Sequence, residues 1–338
     1  MLKKYLQKLM LGEDLTRFVI NEVMEKLVSQ DVSSIQAGGL LTAMQIKGQS
    51  SEELTGAAEM LRRHCNFIDC GGMNVVDIVG TGGDGGISFN ISTTSAFVAA
   101  GAGVTIAKHG NRAVSGKCGA ADVLEELGFN LNVSADVMES CIKTHGIGFL
   151  FAPRMHPVLG SVTKIRKELG VRTIFNMLGP LTNPAGAASI VLGVYDPSLT
   201  ELFADALKKL NVRRAMVVHG LDGLDEISCT EETRVSELKN GQITTYELFP
   251  EMLLGNSWDR NEISGGDAKT NADILCQVLD GSAQGAQRGV VLLNAGAVIY
   301  TAGLCERLQE GIELAAKSID TGKAMEKLKI LIKESQNA

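Results

Sequence analysis

The chain has 338 residues, 45% hydrophobic and 21% charged, with a formal net charge of −7. That length suits a large domain with a smaller companion, and an acidic balance with no long basic run argues against nucleic acid as a partner. The 38 glycines and 4% aromatics fit α/β layers packed around loops that need backbone freedom, and no stretch reaches the ~20 apolar residues of a membrane span.

Residues 1 to about 65 read as helices only. The first ten are amphipathic and lack the continuous apolar core of a signal peptide. Leu15, Phe18, Val19, Val23, Met24 and Leu27 recur at helical spacing and predict one inward stripe. Ser50 and Glu53 form a capping-box pattern opening a further helix. Gly71-Gly72 marks a boundary. Seven cysteines, an odd number without paired zinc spacing, read as reduced thiols of a cytoplasmic protein.

From Asn74 onward, short β-branched runs alternate with helices. Strands are predicted at 75–79, 104–107, 147–151, 189–195, 215–219 and 290–294, giving a mostly parallel central sheet flanked by helices. The first strand breaks into a loop with glycines at 80, 82, 83, 85 and 86. Ile91-Ser-Thr-Thr-Ser then opens a helix. Strand, glycine loop and helix N-terminus together form an arrangement that binds phosphate, because free amides and the helix dipole favour an anion.

Two rival nucleotide readings fail. Gly80-x-Gly82-x-x-Gly85 matches the dinucleotide fingerprint, but the next strand ends in Lys108-His-Gly-Asn-Arg112, not in the acidic residue that would hold ribose hydroxyls. Gly110 to Cys118 has the wrong spacing for a nucleotide P-loop and carries Cys118 where a Mg²⁺-ligating hydroxyl belongs. The cations Lys108, Arg112 and Lys117, with glycines between them, suit a second anion loop. His109 is open as a general base, an anion donor or a satisfied loop residue. His145, His156 and His219 show no metal spacing and read as structural or peripheral.

Between 155 and 170, Val158, Val162, Ile165 and Leu169 form an inward stripe, with Lys164 and Lys167 on the outer face. Arg166 beside this stripe needs a partner, either a structural carboxylate or the carboxylate of a ligand. Asp225-Glu226 follows the fifth strand, at the sheet edge where α/β proteins place ligands. Two carboxylates there, with Ser92 as a further oxygen, suit Mg²⁺ on a diphosphate. Val235–Lys239, Asn240-Gly241 and 242–246 predict a hairpin.

Taken together, Gly80-Thr-Gly-Gly-Asp84, Asn90-Ile-Ser-Thr93, Lys108-His-Gly-Asn-Arg112, Asn176-Met-Leu-Gly-Pro-Leu-Thr-Asn-Pro184 and His219-Gly-Leu-Asp-Gly-Leu-Asp-Glu-Ile-Ser228 resemble the anthranilate phosphoribosyltransferase family, in order and over nearly the whole length. The resemblance implies phosphoribosyl transfer from 5-phosphoribosyl 1-diphosphate to anthranilate in tryptophan biosynthesis, with one or two Mg²⁺ per subunit. It also implies a homodimer joined through a small N-terminal helical domain of residues 1–70, to which about 155–178 would return, and an α/β domain of 71–338.

By motif matching, Gly80, Gly83, Asp84, Ser88, Asn90, Ile91, Ser92, Thr93, Lys108, His109, Gly110, Asn111, Arg112, Ala113, Val114, Ser115, Gly116 and Ala120 would hold the phosphoribosyl diphosphate. Gly80, Asn111 and Arg166 would contact anthranilate, and Ser92, Asp225 and Glu226 the metal. Lys108 and His109 would position and stabilise charge. The chain departs from the family pattern at Ala113, Gly116, Cys118 and Ala120, where mostly serines are expected. Pyrimidine-nucleoside phosphorylases share the glycine loop, but the pairing of Asp225-Glu226 with Arg166 argues against that activity. A non-catalytic nucleic-acid-binding relative would carry a basic surface and a degraded loop.

Overall fold

In a computed structural model that describes residues 2–82, 86–113 and 116–337, the first 63 residues form four helices: Leu2–Met10, Arg17–Val28, Ser34–Lys47 and Ser51–Arg63. The last begins at the expected capping box. Ser50 Oγ accepts the Glu53 amide at 3.3 Å, and Glu53 Oε2 accepts the Ser50 amide at 2.9 Å. Glu53 is fully buried, and Lys47 and the Leu15 amide complete its partners. A buried carboxylate is tolerable only when its oxygens are matched in this way.

Seven strands follow: β1 (Val75–Gly80), β2 (Thr105–Gly110), β3 (Ile147–Phe151), β4 (Ser189–Gly193), β5 (Arg214–Gly220), β6 (Thr233–Lys239) and β7 (Gln242–Leu248). They form one sheet in the order β3-β2-β1-β4-β5-β6-β7, parallel through β5 and antiparallel over the β6–β7 hairpin, whose turn Asn240-Gly241 has positive φ at both residues. The chain winds outward from β1 in one direction and then returns to place β4 on its other side. The reversal leaves a crevice beyond the C-terminal ends of β1 and β4.

Each sheet face has its own core. On one face, the helices Ile91–Gly101 and Gly285–Ala302 pack with the C-terminal helices. The core of the other face runs from Ile190, Leu192 and Val217 through Phe203 into the helical domain, and it includes Val162, Ile174 and Phe175 of the later segment. Apolar residues thus tie residues 160–178 to the N-terminal helices.

Two sequence expectations are corrected. Val290-Val-Leu-Leu-Asn294 is not a strand but the middle of the helix Gly285–Ala302, which is apolar nearly all round because it is buried on most sides. Phe18 is not on the inward stripe. It is 78% exposed, while Val23, Met24 and Leu27 are buried as expected.

Candidate active site

The crevice collects three loops. The glycine loop leaves β1 at Gly80, which packs so tightly on Asp225 that a Cβ there would lie 2.1 Å from Asp225 Oδ2. The facing residue of β4, Gly193, would clash with the Asp225 backbone in the same way. Only glycine lets the acidic turn sit down on the ends of both strands. The Gly82 amide donates to Asp225 Oδ2 at 2.7 Å. Gly83 and Asp84 lie outside the described residues. Gly86 then meets Gly116 of the second loop, where a Cβ would come within 2.5 Å of the Gly116 Cα. The two expected phosphate loops therefore touch.

Beyond the glycine loop, Ser88 bridges Ser264, and the helix Ile91–Gly101 begins. Asn90 does not cap that helix with its side chain. Its amide instead spans to the Cys118 carbonyl at 3.3 Å and accepts from Asn271 at 3.0 Å, tying both loops to the helix Ala268–Leu279. The cap comes from Glu226, which accepts the Ser92 amide at 3.1 Å. Ile91 and Thr93 are buried. The Ser92 hydroxyl accepts from Lys108 Nζ at 3.3 Å, so Ser92, Glu226 and Lys108 form one contiguous set.

Lys108 is 4% exposed, at the end of β2, and also donates to the Ile78 carbonyl at 2.7 Å. Burial pushes its pKa down, opposed by Asp77, Glu226 and Asp225. Lys108 is therefore not a solvated surface group but an internal amine that faces the crevice through Ser92. Asp77, fully buried in β1, takes the His109 amide on one oxygen at 3.1 Å and Asn183 on the other at 2.7 Å. Asn183 also donates to the Ala107 carbonyl, which locks the end of β2 to the Gly179–Pro184 segment. Burial raises the Asp77 pKa to about 6.

His109 Nδ1 lies 3.2 Å from the Gly179 carbonyl oxygen. A carbonyl can only accept, so Nδ1 carries the proton and Nε2 is left as a lone-pair acceptor. Nε2 is buried without a partner among the described residues. Burial, and next the neighbouring His156, lower the His109 pKa to about 3. His156, not singled out by its sequence context, packs edge-on against His109 with centroids 5.1 Å apart. Its own pKa falls to about 4, because the nearby Thr182 backbone offsets only part of its burial. Both imidazoles are neutral at neutral pH.

The second loop is fastened by a residue the sequence reading passed over. Asp122 accepts the amides of Ala113 and Gly119, each at 2.9 Å, and pairs with Arg112. Arg112 also grips Glu125, so its cation is matched by two carboxylates that raise its pKa. Asn111 is exposed and accepts the Arg112 amide. Gly110 ends β2 against Phe149, Ala120 opens the helix Ala120–Glu126, and Val114 and Ser115 lie outside the described residues.

Asp225 and Glu226 sit in a braced turn. Asn294, fully buried in the helix Gly285–Ala302, exchanges two hydrogen bonds with the Ile227 backbone at 2.9 and 2.8 Å. Asp222 gathers the hydroxyls of Ser228 and Thr230. His219 is buried and hydrogen-bonded to the Val194 carbonyl, a structural role. Two carboxylates and a hydroxyl are hard oxygen donors of the kind that suits Mg²⁺.

Arg166 stands apart from these loops. It lies on the helix Gly160–Leu169, and its guanidinium stacks over Phe175 at 5.5 Å with no ion pair or hydrogen bond of its own among the described residues. Burial lowers its pKa. Partly desolvated and unmatched, it presents its planar fork to an incoming carboxylate.

Known proteins agree with this architecture. Residues 3–65 match the helical bundle domain of a glycosyl transferase family, and residues 72–325 match that family's α/β domain. Anthranilate phosphoribosyltransferases from Desulfosudis oleivorans and Syntrophobacter fumaroxidans are 50% and 51% identical to the chain, each alignment covering 98% of both sequences. The anthranilate phosphoribosyltransferase of Thermus thermophilus superposes with a TM-score of 0.93 at 40% identity, covering 98% of this chain and 99% of that one. The Saccharomyces cerevisiae enzyme in complex with PRPP and Mg superposes at 0.91 with 29% identity, covering 100% and 98%. With the two-domain fold and the residues of its crevice, this likeness shows that the chain belongs to the anthranilate phosphoribosyltransferase family.

Proposed function

We propose that the protein transfers the phosphoribosyl group of 5-phosphoribosyl 1-diphosphate to the amine of anthranilate, releasing diphosphate, as a step of tryptophan biosynthesis. The observation that carries this reading is the meeting of the glycine loop, Lys108 and the Asp225–Glu226 turn in one crevice, with Asp225 on Gly82, Glu226 on Ser92 and Lys108 on Ser92. The domain limits proposed are 1–70, with about 155–178 returning to it, and 71–338.

In this mechanism the glycine loop, from Gly80 through Ser88, and the start of the helix at Asn90–Thr93 cradle the diphosphate and ribose. The 108–116 loop and Ala120 cover the other side. Ser92, Asp225 and Glu226 would hold Mg²⁺, which would supply charge neutralisation for the departing diphosphate. Lys108 adds a fixed internal positive charge where negative charge develops as the C1′–oxygen bond loosens. The aromatic carboxylate is gripped by Arg166, with Gly80 and Asn111 alongside, so that the amine faces C1′ and attacks with inversion.

The arylammonium formed is strongly acidic and sheds its proton without a dedicated base. A neutral His109 of low basicity suits a positioning role better than proton abstraction. Anthranilate fluorescence, followed with the diphosphate donor and Mg²⁺, tests the reading. Metal-dependent decay that EDTA abolishes is expected, and no decay at any metal concentration would sink it.

The homodimer and the cytoplasmic location belong to the same proposal. Met10, Leu11, Phe18, Ile35 and Ile46, all in the helical domain, are 74–85% exposed, more apolar surface than a small free bundle needs to show. Phe18→Asp should turn a dimer into a monomer by analytical ultracentrifugation. All seven cysteines are free, and no described helix is long and apolar enough to cross a membrane.

A further inference from the structure

The segment joining Arg166 to β4 touches both phosphate loops. At its far end the Gly179 carbonyl takes His109 at the start of the basic loop. At its near end Arg172 reaches the glycine loop. Its guanidinium lies 4.0 Å from the centroid of the Tyr195 ring, and Nη2 donates to the Gly82 carbonyl at 3.4 Å. Tyr195 itself is anchored to that loop, because its amide donates to Thr81 Oγ1 at 3.1 Å. Gly82 is thus held from two sides, its amide by Asp225 and its carbonyl by Arg172.

The attachment behind Arg172 is rigid. Thr173 is the N-cap of the helix Ile174–Leu178, with its amide bonded to Asn176 Oδ1 at 3.0 Å. Ile174 and Phe175, next in sequence, are buried in the helical-domain core. A planar cation stacked on an aromatic face and fixed to such a base can transmit position, which a free surface arginine cannot. Arg172 Nη1 is buried with no partner among the described residues. Among the described residues the Arg172 guanidinium makes no salt bridge, and it touches the Tyr195 ring and the Gly82 carbonyl.

We infer that Arg172 is a positioning residue, a latch that joins the segment carrying Arg166 to the glycine loop and thereby sets affinity for phosphoribosyl diphosphate. It acts through Gly82, whose peptide it orients. The affinity part rests on the functional reading above. The latch itself does not.

Hydrogen exchange by mass spectrometry, without substrates, tests the latch on the peptide spanning residues 79–90. Calorimetric titration of phosphoribosyl diphosphate with Mg²⁺, without anthranilate, tests the affinity. Arg172→Ala should speed exchange of that peptide and raise the dissociation constant, each about tenfold, the scale of one charge-assisted hydrogen bond. Arg172→Lys, which keeps charge but not the planar stack, should recover part of both effects, and Tyr195→Phe should match the parent chain.

Should Arg172→Ala fail to fold by circular dichroism, Tyr195→Leu removes the stacking face alone and should show the same two effects at lower amplitude. Unchanged exchange overturns the latch. Faster exchange with an unchanged dissociation constant overturns the positioning role. Failure of the parent chain to bind the diphosphate would overturn the functional reading and the affinity claim, with the exchange comparison still deciding the latch.

Discussion

The two sides of the crevice treat their polar groups in opposite ways. On the proposed diphosphate side the charges named already have internal partners: Asp225 with the Gly82 amide, Glu226 with the Ser92 amide, Lys108 with Ser92 and the Ile78 carbonyl, and Arg112 with Asp122 and Glu125. On the proposed acceptor side the Arg166 guanidinium has no ion pair among the described residues. In the proposed reaction the first region would bind by exchanging one set of contacts for another, so its affinity would be a difference between two large terms. The second would gain directly, because a carboxylate would satisfy a guanidinium that desolvation has left unmatched.

The largest expected effect tests the exchanged contacts. Asp225→Ala combined with Glu226→Ala should lower kcat/KM by about 10³-fold at saturating anthranilate, the cost of removing preorganised charge stabilisation. A Mg²⁺ titration should show weakened metal dependence. Near-normal activity would mean that the acidic turn only caps the helix at Ser92.

On the acceptor side, Arg166→Ala should raise KM for anthranilate about 30-fold, as expected for a lost bidentate charge-assisted contact, with kcat little changed. A fall in kcat alone would place Arg166 among structural residues and remove the contrast between the two sides.

The buried titratable groups add a test by pH. His109 and His156, with folded pKa values near 3 and 4, are favoured neutral, so their contribution to stability is present above their usual pKa of about 6.5 and is lost as pH falls below it. Asp77, raised to about 6, has the opposite sign. Its contribution is present at low pH and is lost as pH rises through about 6. Between pH 4 and 6 the unfolded chain binds a proton at each histidine while the folded chain binds one at Asp77. From these three groups the net difference is one proton, and together they should add about 1.4 kcal/mol per pH unit to the rise of stability in urea unfolding. His156→Gln should lower the measured slope by about that one-proton amount, and an unchanged slope would show that His156 does not titrate this way.

The smallest effect concerns Arg112. Since two carboxylates already hold it, Arg112→Ala should raise KM for phosphoribosyl diphosphate only about threefold, and less at high salt. A far larger loss would show that the guanidinium leaves Asp122 and Glu125 for the substrate, extending the exchange of partners to the whole basic loop.

Much of this molecule is written in local chemistry. The Ser50–Glu53 box, the Asn240-Gly241 turn and the five parallel strands each depend on residues a few positions apart, and all stand where the sequence places them. The strand expected at 290–294 failed because an apolar run buried on all sides has no period to separate helix from strand. Phe18 failed for a related reason: helical spacing says which residues share a face but not which neighbour covers it.

For the site, sequence alone determined the identity of its cations, carboxylates and glycines, and their order along the chain. Only the tertiary structure decided their states. Lys108 is an internal amine because β2 carries it beneath the helix start. His109 is a neutral acceptor because Gly179 and His156 close around it, and Asp77, Asp122 and Asn294 became supports through partners on other segments. Protonation and hydrogen bonding depend on burial and on distances of a few ångströms between segments remote in sequence, and those quantities exist only once the sheet is assembled.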